Sequence, residues 1–424
     1  MNITIHRGTD QIGGCVTEYE HEGWKLFVDY GEQLPGAPKS KPLEIEGLTK
    51  GDLTKSALLI THYHGDHIGS IKELPKELPI YIGKVGRDIQ LALSKHLSYV
   101  DEDQNMVIEK LNAAKVFIPG HSFSIGPFKI MPVTTDHSAF DAYAFKIEAD
   151  GVSVFHTGDF RTHGFRSRKL EKMLNIYIGK VDYVVSEGTN VERSNSTLPT
   201  EYDVQKQFEE ELKKQFKKEF NQKIGHIVYL SSTNIDRLFS LYHAALRVGM
   251  PFFVDAYQKK IMDIVAKSDS LWSKSDSYQY GKYEPLTLFR KGDHFTFNDK
   301  FVETIKERGY VLIARANQSF DKLIAELPGE KKIYLSMWKG YVDKNQEAYN
   351  EALAKSVGSK YVYLHTSGHC DMKSLREFFR HLQPKAIIPI HTDKPDLFVK
   401  QFSDEWQVIR LHDGQSIQMP ISGQ

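Results

Sequence analysis

Apolar and polar residues alternate in the opening stretch MNITIHR, the period of a half-buried strand, before the chain turns at Gly13 and Gly14. Short apolar runs bounded by Gly, Pro and Asp follow at 25–29, 57–60, 128–133, 142–147, 152–156 and 181–186. They predict a first half made of strands with short connections. Several runs end at a residue capable of chemistry, which is where open sheets carry their sites.

Near Ser194 the period changes. SNSTLP is loop-like, and Thr200 with Asp203 forms a helix-starting pair. Val204, Phe208, Leu212, Phe216 and Phe220 recur every fourth residue on a Lys/Glu-rich background, the pattern of a long amphipathic helix. Strands at 227–230, 252–255, 310–314 and 332–335 alternate with helices at 234–248 and from Lys259, so a parallel sheet with both faces covered is expected. The earlier theme then returns. A strand at 361–364 leads into HTSGHC, Asp371 caps a helix carrying Leu375, Phe378, Phe379 and Leu382, and the strand 386–390 ends at His391. The fold class is α/β, with segments 1–195, 196–360 and 361–424.

Composition narrows the function. With 40% hydrophobic and 26% charged residues the chain is of the soluble globular kind, and 424 residues exceed one ordinary core. It contains no continuous apolar stretch of about 20 residues, so no membrane span is expected. Two cysteines, Cys15 and Cys370, cannot build a disulfide framework, which places the expected location in a reducing cytoplasm. Lys plus Arg and Asp plus Glu both number 55, and this zero balance argues against a general polyanion binder while leaving room for a local basic channel.

The chemistry concentrates in ALLITHYHGDH. A buried strand delivers the chain to a loop where His62, His64, Asp66 and His67 lie within six positions, in a chain with 18 histidines in all. Neutral imidazole and carboxylate suit zinc or manganese, and a loop can aim them at one centre. Further candidates stand at later strand ends: His137, Asp159 and His391. His121, His163, His226, His243 and His381 are expected as ordinary surface or core residues, while His156 could stand behind the centre.

This pattern resembles the metallo-β-lactamase superfamily. The resemblance implies an αββα sandwich and two divalent ions, zinc ahead of manganese. His62, His64 and His137 would hold one ion and Asp66, His67 and His391 the other, with Asp159 bridging. Asp29, in LFVDYG, would support the ligands from behind. The long stretch between Asp159 and His391 resembles the inserted domain of the β-CASP branch, which includes ribonuclease J, so 1–195 and 361–424 would form one domain and 196–360 the insertion. SEGTN places Glu187 at that branch's first motif, HTSGH places His369 at its second, and PIHT places His391 at its third, where histidine is typical of RNA-processing members.

YLSSTNIDRL resembles the phosphate-binding turn of the same enzymes. Ser231, Ser232, Thr233 and Asn234 there precede a helix whose free N–H groups favour an anion, although Asn234 also serves as a plain cap. His365, Ser367 and Gly368 are further candidates for phosphate contact. Cys370 reads as a small buried residue. Trp338 in SMWKGY and Tyr257 in VDAYQKK are candidate walls of a nucleic-acid channel, and the Arg and Lys of FRTHGFRSRK are candidates for contacts at its mouth.

The resemblance therefore implies a two-metal ribonuclease acting on single-stranded RNA, from the 5′ end or internally. Asp66, Asp159, Glu187 and His369 would be its catalytic groups. Full-length ribonuclease J carries a further C-terminal domain that assists dimerisation, which leaves a homodimer open here. The alternatives are a DNA nuclease of the same branch, a small-molecule hydrolase of the thioesterase or lactonase type, and a non-catalytic RNA-binding subunit.

Overall fold

Along the strand Trp24–Val28, Leu26 and Val28 face one way and Phe27 the other, and this period-two alternation sorts side chains into separate cores. In the computed structural model, residues 1–37, 42–167, 178–193, 198–215, 223–291, 294–296 and 299–419 are described. Phe216, Phe220, Arg168, Lys169 and Ser194 lie outside them. The chain divides into two units, Met1–Leu198 with Gly368–Gln424, and Pro199–Ser367.

The first unit holds two seven-stranded sheets among the described residues. Leu26, Val28, Ala57 and Leu59 of the first sheet meet Phe145, Ile147, Val154, Val185 and Ile388 of the second in one inner core. The residues between them point outward. Phe27, Leu58 and Ile60 pack with Val107 and Leu111 of the helix Gln104–Ala113, and Val184 and Ile387 pack with the helices Met372–Leu382 and Pro395–Phe402. The layers are thus helix, sheet, sheet, helix.

The helices Lys84–Leu97 and Gln104–Ala113 differ from the expectation of strands with short connections. Their buried faces mix apolar with small and polar residues: Val85, Gly86, Ile89, Gln90 and Ser94 in the first, Val107, Lys110 and Leu111 in the second. Polar residues interrupt the apolar ones throughout both segments, so apolar runs alone pass over them.

The second unit is built on strands that pair in parallel through Phe252–Asp255, Tyr310–Ala314, Ile224–Tyr229 and Glu330–Leu335. Val362–Tyr363 adds in parallel to the end of this sheet, so a segment expected to begin the C-terminal part belongs instead to the sheet before it. The amphipathic helix is Glu201–Lys214, started by a Thr200–Asp203 capping box. Arg237 lies fully buried against Glu201, with Nε–Oε1 at 2.6 Å, and also donates to Ser336 Oγ and Leu364 O. Removing one partner of such a pair strands the other charge. Glu201→Ala should therefore lower the unfolding free energy by about 3–5 kcal/mol, read from denaturant titration; a loss below 1 kcal/mol would show that the pair is dispensable.

Candidate metal centre

Strand ends deliver the site. His62 follows the strand Ser56–Leu59, His137 follows Phe128–Thr134, and Asp159 follows Val152–His156. Glu187 is the last residue of Tyr183–Glu187, whose register sets it opposite Ile390, one residue before His391. The loop from His64 to His67 is held against the turn at Gly13 and Gly14, where Gly14 N–H donates to Asp66 O at 2.9 Å. Gly13 has φ +73°, and a Cβ there would stand 2.7 Å from Asp66 Oδ2. Gly31 is tighter, since its Cβ would fall 1.7 Å from Asp66 O.

Three imidazole nitrogens converge: His62 Nε2 and His137 Nε2 each stand 3.1 Å from His64 Nδ1. Beside them, Asp159 Oδ2 lies 3.9 Å from His62 Nε2, 3.9 Å from His137 Nε2 and 3.2 Å from His67 Nε2. His391 Nε2 completes a second group, 3.3 Å from Asp66 Oδ2 and 3.6 Å from Asp159 Oδ1. Asp159 therefore faces both groups, as a bridging carboxylate must.

The contacts behind the rings fix which nitrogen faces inward. His137 Nδ1 donates to Gly368 O at 2.6 Å, and His67 Nδ1 donates to Asp29 Oδ2 at 2.7 Å. Thr61 Oγ1 donates to Asp29 Oδ2, so it accepts from His62 Nδ1 at 3.1 Å. Thr189 Oγ1 donates to His391 O and accepts from His391 Nδ1 at 2.8 Å. In these four rings Nδ1–H is used outward and the Nε2 lone pair is aimed at the centre, whereas His64 turns Nδ1 inward. His67 Nε2 and Asp159 Oδ1 are buried and make no hydrogen bond. Inward lone pairs and unsatisfied ligand atoms are the donor set of a divalent cation, and these residues could hold one.

Electrostatics agree. Burial and neighbouring imidazoles hold His62 well below the usual imidazole range; burial does the same to His137 and puts His64 at about 4. Burial also opposes ionisation of Asp159, yet His391 and His67 outweigh it and hold the carboxyl well below its usual range. For His67 burial disfavours the charged form, but Asp159, Asp66 and Asp29 raise it well above. That carboxylate side demands positive charge, which a cation would supply.

Asp29 and His391 adopt positive φ, 62° and 50°, a conformation that costs a non-glycine residue about 1 kcal/mol or more. Asp29 holds both Thr61 N–H, at 2.7 Å, and His67. Asp29→Asn should weaken metal binding roughly 10- to 100-fold in competition with a chromophoric chelator; unchanged affinity would remove Asp29 from the account.

Glu187 and His369 form a pair, with Oε2–Nδ1 at 2.9 Å, and Glu187 Oε1 accepts from Phe160 N–H at 3.0 Å. His369 Nδ1 also lies 3.7 Å from Asp159 Oδ2. Burial opposes protonation of His369, but Glu187 and Asp159 raise it to about 9.

The carbonyl of Gly368, a candidate for phosphate contact, also orients His137, a role the sequence did not suggest. Other expectations need correction. Arg161 and Arg166 of FRTHGFRSRK are buried and do not offer a basic mouth. Arg161 pairs with Asp136, and Arg166 donates to the carbonyls of His137, Ala139 and Phe140, so both brace the loop that carries His137. Sequence reasoning missed this role, and also Thr61 and Thr189, whose only signal is a hydroxyl beside a strand end. His156 bonds Tyr19 OH at 3.0 Å rather than the cluster. Ser231, Ser232, Thr233, Asn234, His365 and Ser367 belong to the second unit. There Asn234 caps the helix Ile235–Arg247, and Ser232 accepts from Gln258.

A family described as "Beta-lactamase superfamily domain" matches residues 38–211, and one described as "Zn-dependent metallo-hydrolase RNA specificity domain" matches residues 357–406. Residues 38–211 carry a metallo-β-lactamase superfamily domain. The first match holds seven of the nine clustered residues discussed above, and the second holds the other two, His369 and His391. Among curated proteins similar to this chain, ribonuclease J of Helicobacter pylori is 23% identical over 92% of this chain and 56% of its own length. Ribonuclease J of Mycobacterium tuberculosis is 25% identical over 92% of this chain and 68% of its own. The chain thus spans little more than half the length of the first of these relatives. A solved structure of a protein of unknown function from Enterococcus faecalis shares the fold, with TM-score 0.71, 17% identity and coverage of 98% and 99% of the two chains. Among the described residues no helix is long and apolar enough to cross a membrane.

Proposed function

We propose that this chain is a two-metal ribonuclease of the ribonuclease J type, cleaving single-stranded RNA in the cytoplasm from the 5′ end or internally. The observation that carries the reading is the convergence of two ligand groups on Asp159 beside the Glu187–His369 pair. His62, His64 and His137 form one group, and Asp66, His67 and His391 the other. Zinc suits the imidazole-rich set, with manganese as the other candidate. Bound divalent ions would neutralise charge on the phosphate and acidify water.

The chain's own residues supply the rest. Asp66, whose side chain is 15% exposed against 3% for Asp159, is the carboxylate able to orient an attacking water. The water oxygen bonds to phosphorus, its proton passing to Asp66 and on to solvent, while the bond to the 3′-oxygen breaks. His369 gives its proton to that departing oxygen and Glu187 holds the ring. The products are a 5′-phosphate and a 3′-hydroxyl, and His369 regains its proton from solvent. In the second unit, the turn Ser231 to Asn234, with His365 and Ser367, is the proposed phosphate contact.

The test is cleavage of end-labelled single-stranded RNA and DNA carrying 5′-phosphate, 5′-triphosphate or 5′-hydroxyl. Mononucleotides released from 5′-phosphate RNA support the reading. No cleavage of any nucleic acid by metal-loaded protein would sink it and favour a small-molecule hydrolase.

A further inference from the structure

Past the strand Glu330–Leu335, the second unit opens a cavity of about 490 Å³ whose lining includes Trp338, Lys339, Gly340, Asp343, Gln346 and Tyr361. Trp338 is 39% exposed, unusual for an indole. Its placement is built. The ring lies over Gly340, where an added Cβ would meet the six-membered ring at 2.2–2.5 Å, and it meets Tyr341 edge-on at 5.6 Å. A glycine floor and an aromatic edge hold the indole while it lines open space. Lys339 Nζ sits 5.1 Å from the Tyr363 ring centre, which keeps a positive charge at the same wall.

We propose that this cavity is a stacking site for a nucleobase of single-stranded RNA. An aromatic face accepts a base of any identity, and a lysine beside it answers the phosphate that follows. Asp343 and Gln346 add polar groups of the kind that pair with base edges. The sheet register supports the same path. Leu335 pairs with Tyr229, and Ser336 N–H donates to Tyr229 O at 2.9 Å, so the Trp338 loop leaves the sheet beside the Ser231–Asn234 turn. Arg237 links the two loops, starting from the helix after that turn and donating to Ser336 Oγ. A strand whose phosphate rests on one loop therefore meets an aromatic surface on the next. This site rests on the ribonuclease reading for its ligand, but it binds without cleaving.

The experiment measures binding of a phosphorothioate-linked oligoadenylate, which resists hydrolysis, to the full metal-loaded chain by fluorescence anisotropy. Trp338→Ala should bind roughly 5- to 100-fold more weakly, with an unchanged circular dichroism spectrum. Trp338→Phe should restore most of the affinity while losing the tryptophan quenching that accompanies binding. Lys339→Ala should reduce the slope of log affinity against log salt by roughly 0.7. Wild-type affinity in a folded Trp338→Ala variant would overturn the site alone. Absence of binding by the wild type would overturn the site and the nucleic-acid reading together. Trp338-dependent binding without any RNA cleavage would uphold the site and sink the ribonuclease reading.

Discussion

Asp159→Asn should reduce phosphodiester hydrolysis by roughly 10³-fold or more, because charge stabilisation at such a centre is worth several kcal/mol and each 1.4 kcal/mol is a decade in rate. Among the described residues Asp159 is the carboxylate whose oxygens approach both groups, lying 3.9 Å from His62 and 3.2 Å from His67. The amide keeps the volume but not the charge that bridges two cations. Metal analysis should show fewer ions per chain, and the unfolding midpoint measured in chelator should stay close to that of the parent. A variant that keeps both ions and full activity would remove Asp159 from the bridging position.

His369→Ala should slow cleavage by roughly 10²–10⁴-fold, the usual size of a lost general acid, while metal content is retained. The ring is held 2.9 Å from Glu187 and is not among the residues of either proposed ligand group. A pH profile separates this role from a structural one. With its protonated form favoured up to about 9, the acid is present at neutral pH, and activity should fall as pH rises through its pKa. Two bound cations would repel the imidazolium, so the alkaline limb should lie below 9 and vanish in His369→Ala. Loss of metal in that variant would instead make His369 a ligand.

Much of this arrangement was legible in the chain. The cluster His62 to His67 announces itself by density, and strand-end placement picks out His137, Asp159, Glu187 and His391 because strands that end together bring distant residues to one edge. The family resemblance, rather than spacing, paired Glu187 with His369. What was not legible depends on burial. Arg161 and Arg166 look like surface cations in sequence, since nothing local shows that Asp136 and three loop carbonyls will enclose them. Helices Lys84–Leu97 and Gln104–Ala113 escaped notice because two or three apolar residues suffice to seat each. The use of the Gly368 carbonyl to orient His137 was not legible either. A backbone acceptor leaves no mark in side-chain identity.

The first unit is also a statement about the order of synthesis. The strand Asn2–Arg7 pairs with Gln415–Gln418, and Tyr183–Glu187 pairs with Ala386–Ile390. A growing chain can therefore bring His62, His64 and His137 together early, but the second ligand group waits for His391. Its sheets remain open until residue 418 has left the ribosome, while the inserted parallel sheet, finished by residue 363, can fold first. Any hydrolytic centre in this chain stays incomplete beside the message being translated until the last strands arrive.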